Sequence, residues 1–181
     1  MTSAPGTTLP AGAELVFAAE EIDRIIARMA REIAADIRTL NPIVIPILIG
    51  GAFTAVRLTA HFDFPYEVDS VRLARYGRSA PGGELHWYAR PCLELDGRHV
   101  LLVDDVLDRG VTLHAVEREL RRMNAASVSA AVLIRKSLPA GVERPAVDYV
   151  GADAPDRFLF GCGMDLDGGW RGLPALYAIE R

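Results

Sequence analysis

Residues 42–53, PIVIPILIGGAF, form an almost unbroken apolar run. A strand with one face in water alternates apolar and polar side chains; a run that does not alternate is covered on both faces. HVLLV (99–103) and SVSAAVLIR (127–135) have the same character, with VDYVG (147–151) a shorter candidate and YEVDSVRLARYG (66–77) an alternating one. Helical patterns separate them. Ile22, Ile25, Ile26, Met29, Ile33 and Ile37 form one stripe over residues 19–38, with Glu20, Glu21 and Asp23 near its start. Residues 52–61, after Gly50 and Gly51 end the first run, and Thr112 to Met123 complete the set. Strands alternating with helices specify an α/β fold with a mostly parallel twisted sheet and helices on both faces.

The chain's 181 residues fit one domain, half of them hydrophobic and 24% charged. A net charge of −4 provides no general attraction to nucleic acid or to an anionic membrane, so any anionic ligand is held locally. Cys92 and Cys162 have no CxxC spacing, which points to a reducing, cytoplasmic setting. Residues 1–12 lack a basic start and an apolar core and read as a mobile tail rather than a signal peptide. No apolar run approaches the roughly 20 residues that span a bilayer. Between two strand-like arms, GRSAPGGELHWY (77–88) reads as a long hairpin whose tip is a lid, covering about residues 74–88.

One stretch breaks the apolar rule. LLVDDVLDRGVTLHAV (101–116) brings Asp104, Asp105 and Asp108 to the lip of a buried strand, then Gly110, Thr112 and a new helix. Ligands of open α/β sheets bind beyond the carboxyl ends of the strands. Backbone N–H groups of Asp108, Arg109, Gly110, Val111 and Thr112, at a helix start, suit a phosphate, and glycine allows the tight turn. Thr112 adds a hydroxyl, and adjacent carboxylates accept bonds from vicinal hydroxyls. Together they describe a ribose 5-phosphate site. Taken alone, Asp108 is also an ordinary helix cap, and Arg109 either neutralises the phosphate or points to solvent.

Residues 100–112 read as four apolar residues, two acids, two apolar residues and Asp-x-Gly-x-Thr. This resembles the signature of type I phosphoribosyltransferases, which bind 5-phosphoribosyl-1-pyrophosphate (PRPP). From about residue 40 onward the chain is similar to the hypoxanthine-guanine branch. The resemblance implies a small hood built from the chain ends within a single domain of residues 13–181. It implies transfer of 5-phosphoribosyl from PRPP to N9 of hypoxanthine or guanine, giving IMP or GMP and pyrophosphate.

Site roles follow from the same resemblance. LIGGAF (48–53) takes the place of the pyrophosphate loop, with Gly50 and Gly51 binding through backbone, Gly50 replacing a basic side chain, and a cis bond expected near Ile49-Gly50. Lys136 in VLIRKS donates to the purine 6-oxo group, Phe158 stacks on the base, and the Leu159 carbonyl meets the base edge. Asp165 helps to hold a pyrophosphate-bound Mg²⁺, with Asp104 and Asp105 as further ligands, and Arg171 in WRGLP touches pyrophosphate. Asp108 takes the proton as N9 attacks, and Arg75 and Tyr76 belong to the lid. Partners are small molecules, with no nucleic acid and no membrane, in a homodimer or homotetramer. Xanthine- or adenine-directed enzymes and a PRPP-sensing, RNA-binding regulator are the alternatives; the last would need a basic face, which the composition lacks. Cys92, Cys162, His86, Trp87 and Tyr88 are read as packing residues, and His61, His99 and His114 have no metal-ligand spacing.

Overall fold

The protein's structure, a computed structural model, describes residues 8–75, 85–139 and 141–180. Its elements in chain order are β1 (Glu14–Phe17), α1 (Ala19–Ile37), β2 (Ile43–Leu48), α2 (Gly50–Thr59), β3 (Glu67–Val68), β4 (Val71–Arg75) and β5 (Leu85–Ala89). They continue with β6 (His99–Leu107), α3 (Val111–Arg122), β7 (Ser127–Ser137), β8 (Tyr149–Pro155), β9 (Phe158–Phe160) and β10 (Leu176–Ile179). The main sheet runs β5-β4-β2-β6-β7-β8, with β3 also beside β2, and only the β4–β5 pair is antiparallel. A second sheet, β1-β10-β9, is antiparallel and joins the two ends of the chain. This is the expected hood.

Two cores explain the apolar runs. On β2, Val44 packs toward α1 and α2 while Ile43, Ile45 and Ile47 pack toward α3; on β6, Leu101 and Val103 face the first core and Val100 and Leu102 the second. Period-2 geometry thus divides each run between two helical layers. The α1 stripe buries Ile22, Ile26, Met29, Ile33 and Ile37, leaving Ile25 half-buried. At its start Glu21 accepts a hydrogen bond from the Ala18 N–H at 2.8 Å.

Several expected boundaries move. Gly50 and Gly51 do not merely end a strand; they are the first turn of α2. β6 continues through Asp104 and Asp105 to Leu107 instead of stopping before them, and α3 begins at Val111, one residue earlier than expected. The segment 66–77 holds two strands, not one. Between them Asp69 accepts from its neighbour Ser70 N–H at 2.7 Å, and from Cys92 and Leu93 N–H at 2.7 and 2.8 Å. The hairpin expected around the lid is present as β4–β5, with Arg72↔Ala89 and Arg75↔Leu85 in register. Its tip, Tyr76 included, and residues 1–7 of the expected tail lie outside the described residues.

Asp69 therefore ties the β5–β6 connection to the break between β3 and β4. Asp69→Ala leaves these N–H groups unpaired and is expected to destabilise the fold by about 2 kcal/mol. In a chain of this size that lowers the thermal midpoint by about 4–8 °C. An unchanged midpoint by calorimetry refutes the tie.

Candidate active site

Because β2, β6 and β7 are parallel, their carboxyl ends share one edge of the sheet, where a cleft of about 600 Å³ opens. It is lined by Leu48–Gly50 at the end of β2, Asp104–Leu113 from β6 into α3, Lys136 of β7, and Phe158, Leu159, Asp165 and Arg171 from the hood and its turn. The expected phosphate, ribose, pyrophosphate and base groups meet in this space. Gly51 does not border it. Its missing β-carbon would lie 2.4 Å from the Val103 carbonyl, so it lets α2 pack against β6.

The buried end of the cleft is acidic. Asp105 is 8% exposed and accepts from Val106 N–H at 2.9 Å, while Asp104 accepts from Asp105 N–H at 3.0 Å. Burial, then the adjacent Asp105 charge, pushes the Asp104 carboxyl well above the usual carboxylate range. Burial also raises Asp105, opposed by a hydrogen bond from Asp104, by the Val106 N–H and by the Arg171 charge. Asp105 is sealed by backbone: a β-carbon on Gly50 would sit 1.8 Å from its Oδ2. Gly50 is therefore small for packing reasons, whatever it also offers an anion. The cis peptide bond lies at Leu48-Ile49, one residue before the expected Ile49-Gly50.

Beyond the acids the chain turns at Gly110, whose φ of +71° lies in the left-handed region. A β-carbon there would also strike the Pro145 ring, 2.4 Å from Cδ. Gly110 is the N-cap of α3 with no side-chain cap bond, so Asp108 does not cap this helix. The first helical hydrogen bond runs from His114 N–H to the Gly110 carbonyl, at 2.9 Å. The N–H groups before His114 have no intrahelical partner, and Arg109–Thr112 border the cleft. Asp108, Arg109 and Val111 are exposed, and Thr112 half-buried, on this rim.

Another part of the cleft is built around Lys136, whose side chain is 16% exposed. Its Nζ lies 3.8 Å from Asp108 Oδ2 and 3.6 Å from Asp156 Oδ1. Asp156 was not among the expected site residues. A signal for Lys136 is in the composition: of 20 basic residues it is the only lysine. Phe158 is half-buried and Leu159 buried on β9.

Asp165 and Arg171 form an ion pair at 2.6 Å; Arg171 also donates to the Gly163 carbonyl at 2.6 Å, and Asp165 accepts from Gly168 N–H at 2.9 Å. The three aspartates assigned to a metal do not converge: among the described residues no group of three or more His, Cys, Asp or Glu side chains could hold an ion. Arg75 ends β4, and its side chain lies outside the described residues. Cys162 is a packing residue, as expected: its thiol donates to the Pro174 carbonyl at 3.2 Å, and burial pushes it up to about 11.

Comparisons with known proteins point to one family. The phosphoribosyl transferase domain model matches residues 13–167. The hypoxanthine-guanine phosphoribosyltransferase of Aquifex aeolicus is 31% identical over 169 residues, covering 92% of this chain and 94% of that one. The hypoxanthine-guanine-xanthine phosphoribosyltransferase of Tritrichomonas foetus is 27% identical over 166 residues, covering 92% and 91%. A solved hypoxanthine-guanine-xanthine phosphoribosyltransferase superposes with a TM-score of 0.84 at 25% identity, over 93% of this chain and 97% of that one. The chain belongs to the phosphoribosyltransferase family.

Proposed function

We propose that this protein is a purine-salvage enzyme that transfers 5-phosphoribosyl from PRPP to N9 of hypoxanthine or guanine, releasing pyrophosphate. The observation that carries this reading is that one cleft holds both an uncapped helix start and the chain's only lysine, with Phe158 also in its lining. A loop suited to phosphate and a lysine suited to an oxopurine thus share one cleft with the Asp104-Asp105 pair.

The backbone of Arg109–Thr112 and the Thr112 hydroxyl donate to the 5-phosphate, and Asp104 and Asp105 accept from the ribose hydroxyls. Phe158 stacks on the base, the Leu159 carbonyl accepts from its edge, and the Lys136 ammonium donates to O6. The bond from the anomeric carbon to pyrophosphate breaks with its electron pair leaving on oxygen. The N9 lone pair forms the new bond, and the purine's proton passes to the Asp108 carboxylate. Arg171 lies where charge grows on the leaving group.

Magnesium fits the donor set. Half-buried Asp104 and buried Asp105, incompletely neutralised, supply hard oxygen, and this ion is commonly held by one or two carboxylates plus substrate phosphates instead of an all-protein cage. Bound there, it neutralises pyrophosphate charge. The β4–β5 hairpin, with Arg75 and Tyr76 toward its tip, acts as the lid that excludes water. Ile49, Phe53 and Val56, exposed at 46%, 37% and 69%, support self-association as a homodimer or homotetramer. No helix among the described residues is long and apolar enough to cross a membrane.

Steady-state assays with PRPP, magnesium and a panel of bases test the reading. Hypoxanthine and guanine are expected to react readily. Adenine presents an amino group to Lys136, and a site built to bond one polar group rejects an analogue lacking it by roughly 10⁴-fold. Lys136→Ala should damage catalysis with both oxopurines and spare PRPP binding. Efficient formation of AMP overturns the base assignment.

Asp108→Asn keeps the phosphate loop but cannot take a proton, so turnover at saturation should fall roughly 10²–10⁴-fold. Wild-type turnover in this variant removes Asp108 from the mechanism. Thr112→Val deletes a hydrogen bond to a charged group, worth about 1.5–3 kcal/mol of PRPP affinity. Calorimetry showing equal affinity counts against the cradle.

A further inference from the structure

The connection between β7 and β8 has no part in the reaction as described, yet it touches both ends of the cleft. Arg144 Nη1 donates to the Lys136 carbonyl at 2.6 Å. That carbonyl lies near the end of β7, where Lys136 pairs with Ala154 and Ser137 with Pro155. Pro155 has no N–H to offer the ladder, so the sheet runs out of donors here and the arginine supplies one. The next residue, Pro145, lies against the phosphate loop, its Cδ 2.4 Å from where a β-carbon of Gly110 would be. Two consecutive residues of this connection thus hold the main chain of Lys136 with one side chain and back the phosphate loop with the other.

We propose that Arg144-Pro145 is a positioning element that fixes the distance between the phosphate loop and Lys136. Its functional meaning rests on the reading above. Ribose phosphate is held at Gly110–Thr112 and the purine at Lys136, so the separation of these points sets how N9 approaches the anomeric carbon. The two anchors come from different strands, β6 and β7, and this connection bridges them. A misplacement of about 1 Å in such a geometry costs on the order of 10²-fold in rate. Neither residue touches a reacting atom. Both are half-buried and border an open side cleft with Arg118 and Glu143, so truncating them opens space to solvent rather than a hole in the core.

The test exploits the single lysine. An amine-acetylating reagent modifies one ε-amino group, which peptide mass mapping separates from the N-terminal amine, so the rate of Lys136 modification reports its surroundings without any turnover. PRPP affinity by calorimetry reports the other end. A shared clamp couples the two. Pro145→Gly should speed Lys136 acetylation although Pro145 is not its hydrogen-bond partner, and Arg144→Ala should weaken PRPP binding although Arg144 does not back Gly110. Residues acting through one element couple, so each crossed effect should be roughly threefold or more, and the double variant should fall short of the product of the single ones. Turnover in Arg144→Ala should drop on the order of 10²-fold, and Arg144→Lys, which keeps a donor, should recover part of it.

Effects confined to each residue's own neighbour overturn the proposal. So does a lowered thermal midpoint in both variants with unchanged PRPP affinity, acetylation rate and turnover. If the wild-type protein transfers no phosphoribosyl group, the functional reading fails separately, because the acetylation arm still decides whether the connection governs Lys136.

Discussion

The Asp105 carboxylate occupies the space that a side chain on Gly50 would fill, 1.8 Å from its notional β-carbon. Three segments meet at that point: the start of α2, the end of β6, and the turn containing Gly163, whose own β-carbon would lie 2.5 Å from the Gly50 carbonyl and 3.3 Å from Asp105 Cβ. A buried acid is costly unless something answers its charge. Arg171 provides part of the answer, but it is also paired with Asp165 and bonded to the Gly163 carbonyl. The floor of the cleft is thus short of positive charge, and its glycines admit neither bulk nor a cation of their own. Burial itself answers the rest by raising both carboxyl pKa values, which favours the neutral acids; a metal ion carried in by the proposed ligand would supply positive charge instead.

How much of this was readable in the sequence depends on whether its cause is local. Residues 101–116 were legible because the acids violate an otherwise apolar pattern, and the violation is explained within a few residues by Gly110 and the helix that follows. The α1 stripe and the two-faced strands were legible through periodicity alone. The start of α2 was not. A Gly-Gly pair after a strand reads as a terminator, and only the approach of Gly50 to Asp105 and of Gly51 to the Val103 carbonyl shows why both are helical and bare. The break at Asp69 escaped for the same reason, since Cys92 and Leu93 lie far along the chain. In the hood, β9 has three residues and β1 and β10 four each, too short for a period to register.

Lys136 illustrates a different kind of signal. Elsewhere this chain meets its need for cations with arginine, as in Arg135–Asp153, where the planar fork grips both oxygens of one carboxylate, and Arg38–Asp63, where one nitrogen spans both. At 136 the cation stands between two separate acids, Asp108 and Asp156, at 3.8 and 3.6 Å. A compact ammonium with rotatable donors can serve both and still turn to a ligand oxygen; a guanidinium committed to one carboxylate cannot do so as readily. An exception to a composition-wide habit is therefore informative even where no motif surrounds it.

The two ends of α3 make the same point in energetic terms. Its last turn carries Arg121 and Arg122, which suit the negative end of a helix, and its body is secured through Glu119 to Arg122 and to Arg90 on the β5 side. Its first turn has no acidic residue and no side-chain cap. With glycine at the N-cap, leaving out such a cap forgoes only a few tenths of a kcal/mol, and Asp108, two residues earlier, does not supply one. Instead that carboxylate faces Lys136. A helix optimised for stability alone would be capped at both ends. This one keeps its positive end open, at the place where a phosphate would complete it.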